Sequence, residues 1–308
     1  MAMLIIGENI HIISPKVKEA VETQDAKFIQ DLALRQVGHG AGMLDLNIGP
    51  QRKRGVEVMG WIVDTVQAVT DVPLSLDTTN AAAIETGLQK VKRQAVINST
   101  SADPDRLDAT MPLAAKYQSR IIALTMGKTG IPQTADERVQ LAMEVLLPRA
   151  MELGIPTSDV YLDPLVLTVN GTQEHAPHTL NAVRFFKQLA DPPPMTVVGL
   201  SNVSNSVPAE NRSLLNRTYL VMLMAAGLDS AIADPFDEKQ NEFVRMVEQR
   251  DTSSGLGKLL VTLYDKTAAM EELEPSDVDM KDPEQVAVWK TVQILHNKVI
   301  YAHSYLNM

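Results

Sequence analysis

The chain has 308 residues, 45% of them hydrophobic and 21% charged, with a formal net charge of −10. That length and balance suit one large globular domain, and an acidic chain with 4% aromatic residues lacks the basic surface and stacking platform of a nucleic-acid binder. Cysteine is absent, which excludes disulfides, thiolate zinc sites, cysteine-held iron–sulfur clusters and a cysteine nucleophile.

Short apolar runs alternate with helix-length segments along the chain. Leu4-Ile5-Ile6 runs into Glu8 and Asn9, and Ser14 followed by Pro15 starts a first helix. Thr23 to Val37 reads as a second helix, ended by Gly38, Gly40 and Gly42. Met43-Leu44 leads to Asp45 and Asn47, and Arg54 to Val69 is apolar at a helical period. Leu74-Ser75-Leu76 stops at Asp77, and Asn80 to Lys90 starts on a good N-cap. Ala95-Val96-Ile97 stops at Asn98, before a helix over Asp103 to Tyr117. Ile121 to Leu124 stops at Thr125, and Thr134 with Glu137 forms a capping-box pattern that opens a helix to Leu153. Val160-Tyr161-Leu162 stops at Asp163, and Thr179 to Leu189 is helical. Val197 to Leu200 stops at Ser201-Asn202, and Leu215 to Ala226 is helical. Ala231-Ile232-Ala233 stops at Asp234, and Phe236 to Arg250 reads as an eighth helix.

Eight such repeats are the rhythm of an α/β fold of the TIM (β/α)8 barrel type, whose strand ends converge on one mouth. Residues 1–250 are assigned to the barrel and 251–308 to a C-terminal helical extension packed on it. Within the extension, Lys258 to Glu272 is helical and Glu274 to Pro283 is an acidic loop. Val288, Val292, Leu295, Val299, Ala302 and Leu306 form one apolar stripe on a closing helix. No basic stretch leads into a long apolar segment near the N-terminus, and no apolar run is long enough to span a bilayer. Neither a signal peptide nor a membrane helix is expected, and the expected location is the cytoplasm.

At the mouth, Asp77, Asn98 and Asp163 would together offer charged acceptors and an amide that both donates and accepts. That set matches a flat heterocycle with amino and ring N–H donors and a carbonyl acceptor, such as a 2-amino-4-oxo pterin. Each residue also has a plainer reading. An Asp or Asn after a strand often caps the next helix, Asn202 has a lesser reading as a turn residue, and Asp45 and Asn47 stay undecided. His175 and His178 are three apart but read as loop residues before a helix, so no zinc site is expected there. Lys128 reads as a turn residue, because the glycine that opens a phosphate loop is missing upstream.

Several motifs carry a family resemblance. They are Leu-Asp-Leu-Asn-Ile-Gly-Pro (44–50), the Asp77 segment, Ile-Asn-Ser-Thr (97–100), Leu-Thr-Met-Gly-Lys-Thr-Gly-Ile-Pro (124–132), Tyr-Leu-Asp-Pro-Leu (161–165), Gly-Leu-Ser-Asn-Val-Ser (199–204), Leu-Leu-Asn-Arg-Thr (214–218) and Ser-Ala-Ile-Ala-Asp (230–234). With them the chain resembles the methyltetrahydrofolate:corrinoid/iron–sulfur protein methyltransferases, relatives of the folate domain of cobalamin-dependent methionine synthase. The resemblance implies transfer of the N5 methyl of 5-methyltetrahydrofolate to the Co(I) of a corrinoid held by a separate corrinoid iron–sulfur protein. It also implies a homodimer with no metal of its own, while the acidic charge and the short apolar runs give the expectation of no nucleic-acid partner and no membrane partner. By matching motif, Asp77, Asn98 and Asp163 hold the pterin and Asn202 contacts N5 as the catalytic residue. Gly199, Asn205 and Arg212 complete the substrate-binding set. Co(I) arrives on another protein, so no long lid is expected on the Asn202 side. The chain departs from the family at Gly-Glu-Asn-Ile-His (7–11), where Asn9 replaces an Arg and His11 an Asn, and no role carries over to those two.

Two other readings stand beside this one. A dihydropteroate-synthase-like pterin enzyme would need a basic pyrophosphate site, and the sequence lacks its usual Ser-x-Arg-Pro-Gly segment. A non-catalytic folate-binding subunit would bind the pterin without passing on the methyl.

Overall fold

Eight short strands run parallel, each bonded to the next, and the eighth returns to the first to close a barrel. They are β1 (Leu4–His11), β2 (Met43–Asn47), β3 (Leu74–Asp77), β4 (Val96–Ser101), β5 (Arg120–Leu124), β6 (Val160–Asp163), β7 (Met195–Gly199) and β8 (Ser230–Ala233). The structure is a computed structural model and describes residues 2–306; Met1, Asn307 and Met308, at the outer ends of the two segments assigned from sequence, lie outside the described residues.

The period-two alternation of side chains along each strand builds two cores and the mouth together. Ile6, Met43, Val96, Ile122, Tyr161 and Val197 face inward and fill the barrel. Leu44, Leu46, Leu74, Leu76, Ile97, Ile121, Ala123, Val160 and Leu162 face outward and pack under the helices. Two residues beyond the inward layer, the next inward positions reach the C-terminal strand ends. Those positions are Glu8, Asp45, Asn98, Leu124, Asp163 and Gly199, and all of them line the mouth. Register aligns Asn47 with Asp77 and Asp77 with Asn98, so three adjacent strands present polar groups in one row.

Most helices begin where capping residues place them. Asn80 accepts from the N–H groups of Ala82 and Ala83 and caps Ala81–Lys90. Asp103 caps Pro104–Tyr117, and Thr134 with Glu137 completes the capping box of Ala135–Leu141. Three expectations need correction. The second helix starts at Ala26, capped by Asp25, because Gln24 is left-handed and breaks the chain there. His175 and His178 belong to the helix His175–Phe186. The closing helix spans Pro283–Leu295 and stops before Val299, because Asn297 adopts φ 56° just past its end; a separate short turn covers His303–Leu306.

The C-terminal helices share one core with the last helices of the barrel. Leu259, Leu260 and Leu263 of Gly255–Ala268 and Val288, Val292 and Leu295 of Pro283–Leu295 pack with Leu220 and Leu223 of Ala209–Ala225. No helix of the described residues is long and apolar enough to cross a membrane.

Candidate active site

A cavity of about 530 Å³ opens at the C-terminal ends of the strands, a size in the range of small-molecule sites. Asp77, Asn98, Asp163, Gly199, Asn202 and Asn205 all line it, with Glu8, His11, Ile13, Asp45, Asn47, Ser99 and Ser201. Arg212 stands apart: it is exposed on the helix Ala209–Ala225, and its Nε donates to the Val207 carbonyl (2.7 Å). A second cleft of about 660 Å³ lies at the opposite end of the barrel, among Ala95, Ser119 and Asp159. In this fold the chemistry sits at the C-terminal face, so the first cavity is the candidate site.

Asp45 organises one wall. Wholly buried, it accepts from Ser75 Oγ (2.6 Å) and from Asn98 Nδ2 (3.1 Å). The Asn98 amide nitrogen is thereby engaged and its carbonyl oxygen is left for a ligand donor. Asn47 donates to Asp77, and its own carbonyl accepts from the Gly49 N–H (3.0 Å). Burial raises the pKa of both Asp45 and Asp77, and the Asp45 charge raises Asp77 further, so the two titrate as a pair. Arg106 pins the loops that follow β3 and β4, donating to the carbonyls of Thr78, Thr79 and Ser99 at 2.7–2.9 Å.

Neither Asp77 nor Asn98 is a helix cap. Asn80 and Asp103 take those places, which frees the two strand-end groups for the cavity. Asp163 is bonded locally: its Oδ1 accepts from the Leu165 N–H (2.7 Å), two residues on. Its Oδ2 is left as the open acceptor.

Asn202 sits on a tight 3-10 turn, Leu200–Ser204, directly after β7. Asn205 Nδ2 donates to its Oδ1 (3.1 Å), so the carbonyl is occupied and the NH2 end is free to donate. A Cβ at position 199 would lie 2.9 Å from Asn202 Nδ2; glycine there lets the amide lie over the strand end. Beside it, Ser201 Oγ donates to Glu8 Oε1 (2.6 Å).

Glu8 and Asp163 hold their protons unusually tightly. Burial pushes Glu8 to about 7 against the pull of the Ser201 hydroxyl, with the charges of Asp234 and Asp45 adding to the rise. Burial likewise pushes Asp163 to about 7, against its bond to Leu165 and the charge of Arg138. Near neutral pH both groups keep protons in the folded protein that the unfolded chain has released. Their stabilisation is complete below the unfolded values of 4.5 and 3.8 and is lost as pH rises through about 7. The thermal midpoint of the ligand-free protein is therefore expected to fall between about pH 4.5 and about pH 7 and to level off above that. Pairing Glu8→Gln with Asp163→Asn should flatten that fall. A midpoint that climbs across the window contradicts these ionisation states.

The sequence marks Glu8 and Asp45 as strand-end residues without giving them a part in the site. The signal available is the alternation itself, which turns both inward. His11 lines the cavity. Asn9 does not: its amide donates to Asp234 Oδ1 (3.0 Å) between neighbouring strand ends. Among the described residues no group of three or more His, Asp or Glu side chains is arranged to hold a metal ion.

The sequence model for pterin binding enzymes matches residues 14–234, which include six of the proposed contacts besides Asn202. The chain belongs to the pterin binding enzyme family. It is 29% identical to the methylcorrinoid:tetrahydrofolate methyltransferase of Eubacterium limosum over 236 residues, 76% of this chain and 85% of that protein. It is 30% identical to the methionine synthase of Mycobacterium leprae over 241 residues, 75% of this chain but 20% of that longer protein. Among solved structures, the dihydropteroate synthase of Thermus thermophilus superposes with a TM-score of 0.59 at 18% identity, covering 80% of this chain and 94% of that one. That last likeness speaks to the barrel alone.

Proposed function

We propose that this pterin-binding barrel moves a methyl group between N5 of a reduced folate and the cobalt of a corrinoid carried by a separate protein. The donor is 5-methyltetrahydrofolate and the acceptor Co(I); the partner is a corrinoid iron–sulfur protein, and the enzyme works as a cytoplasmic homodimer. One observation carries the reading: Asp77, Asn98, Asp163 and Asn202 line the same cavity. The resemblance of most of the chain to a methylcorrinoid:tetrahydrofolate methyltransferase supports it. The barrel assigned to residues 1–250 holds the site, and the extension assigned to 251–308 braces the β7–β8 side through its described helices Gly255–Ala268 and Pro283–Leu295.

The geometry suggests how each group acts. Asp77 and Asp163 accept from the pterin's amino and ring N–H groups, and the Asn98 carbonyl takes a further donor. Buried hydrogen bonds to charged groups are worth about 1.5–3 kcal/mol each, enough to fix orientation. Methyl departure leaves electron density on N5, and a donor at that atom makes nitrogen a better leaving group. With its carbonyl held by Asn205, Asn202 directs N–H at N5 and bonds more strongly as charge develops. Asn202 is exposed at the rim, where a macrocycle borne by another protein can reach it.

The residues lining the cavity include no lysine or arginine. A pyrophosphate-bearing pterin would meet carboxylates there with no cation to answer its charge, which disfavours a dihydropteroate-synthase reaction. The test is direct. Mixed with 5-methyltetrahydrofolate and a reduced corrinoid protein, the enzyme should discharge the Co(I) absorbance catalytically. Folate binding with no change in Co(I) would instead mark a non-catalytic folate-binding subunit.

A further inference from the structure

We infer that Thr179 and Arg138, one layer behind the cavity, are positioning residues that hold Asp163 in its ligand-facing geometry. The inference rests on the pterin reading of Asp163 given above. It concerns residues that never touch the ligand.

A continuous chain of hydrogen bonds makes the case. Asp163 Oδ1 accepts from the Leu165 N–H (2.7 Å). Leu165 has φ 68°, a left-handed conformation that a leucine adopts only when its surroundings impose it. What imposes it is visible on the far side of the same residue: the Leu165 carbonyl accepts from Thr179 Oγ1 (2.9 Å). A hydroxyl has one proton to give, so the second bond of Thr179 must be one it accepts. Arg138 NH1 supplies that bond at 3.2 Å. Arg138 NH2 in turn lies 2.9 Å from His175 Nδ1. A guanidinium can only donate, which makes Nδ1 the lone-pair nitrogen of a neutral imidazole. Burial and the Arg138 charge both push His175 towards that neutral form. On the other flank, Thr125 holds the Asp163 carbonyl through its N–H (2.9 Å) and Oγ1 (3.0 Å).

Every polar link in this brace runs one way, from Arg138 through Thr179 to the Leu165 carbonyl. Arg138 and Thr179 are both fully buried. The Arg138 hydrogen bonds go to the neutral side chains of Thr179 and His175, so its charge is left to act on Asp163, against the burial that favours the protonated acid. A buried cation without an ion-pair partner is costly. Its position behind a ligand-binding carboxylate gives that cost a use: it keeps Asp163 oriented and nearer its ionised form.

Thr179→Val removes the hydroxyl and with it both bonds, while nearly conserving shape. Thr179→Ser keeps them. The readouts are affinity for 5-methyltetrahydrofolate by titration, KM and kcat for methyl transfer, and the thermal midpoint, with Asp163→Asn measured alongside. The expected result is about tenfold weaker binding and a matching rise in KM for the valine variant. Its kcat should stay within about threefold of wild type, and serine should restore the affinity. Wild-type affinity in Thr179→Val, with Asp163→Asn impaired, overturns the inference. So does a loss that follows the thermal midpoint and that serine does not restore. Unchanged binding in Asp163→Asn removes the pterin reading of Asp163, and the inference with it.

Discussion

Asn202→Ala is expected to lower methyl-transfer turnover by about 10²-fold or more, with folate binding changed by less than about threefold. The separation follows from where the side chain sits. Asn202 is exposed, and its side-chain oxygen is already engaged by Asn205 at 3.1 Å, so it contributes little to folding or to the pterin pocket. In the proposed reaction its free NH2 group is the donor that answers charge developing at N5. Preorganised donors of this kind typically supply about 10²–10³ in rate, because they bind the departing nitrogen better than the ground-state amine. Single-turnover measurements at saturating folate read the step directly. A variant that turns over like wild type would rule out Asn202 as the catalytic residue.

Asp163→Asn is expected to act the other way, weakening folate binding by about 10- to 100-fold. The substitution keeps the shape but cannot keep the polarity. The Leu165 N–H requires an acceptor, so the new amide must direct its oxygen there. Its NH2 group then points into the cavity, where a donor on the pterin would face another donor. The pH dependence should change as well. Wild-type affinity is expected to fall as pH drops through about 7, where Asp163 takes up a proton. Ligand binding will pull that midpoint lower, because the bound pterin favours the charged acid. The asparagine variant should lose this component of the acid limb. Titration at several pH values checks both points, and unchanged affinity at neutral pH removes Asp163 from the pterin contacts.

Much of this architecture is written locally. Eight short apolar runs separated by helix-length segments are enough to specify the barrel, and strand geometry then turns alternate side chains of each run inward and outward. The same pattern carries Asp77, Asn98 and Asp163 to the mouth, since each follows an inward-facing residue by two positions. Asn80 and Asp103 take the capping work, which distinguishes the strand-end residues from the caps in a way that spacing alone leaves open. The bonds that tune the site are less legible. Asp45 and Asn98 are 53 residues apart, Arg138 and Thr179 are 41 apart, and Ser201 and Glu8 are 193 apart. No local pattern reports such pairings; they exist only once the barrel closes. The end of the final helix is hidden for a related reason. The apolar stripe from Val288 to Leu306 fits one long helix, but Gln173 takes hold of the segment beyond it. Its Nε2 donates to Asn297 Oδ1 (2.8 Å) and to the Val299 carbonyl (2.9 Å), tying this stretch to the loop that follows β6. Arg212 lies in the first turn of the helix Ala209–Ala225, and its guanidinium turns back to the Val207 carbonyl.

A crystal structure of the protein with 5-methyltetrahydrofolate tests the central claim most directly. The bicyclic ring should lie flat in the barrel mouth, with its N–H groups on Asp77 and Asp163, the Asn98 carbonyl taking a further donor, and the Asn202 NH2 group at N5. A folate bound elsewhere on the surface, or seated in the mouth with N5 turned away from Asn202, would contradict it.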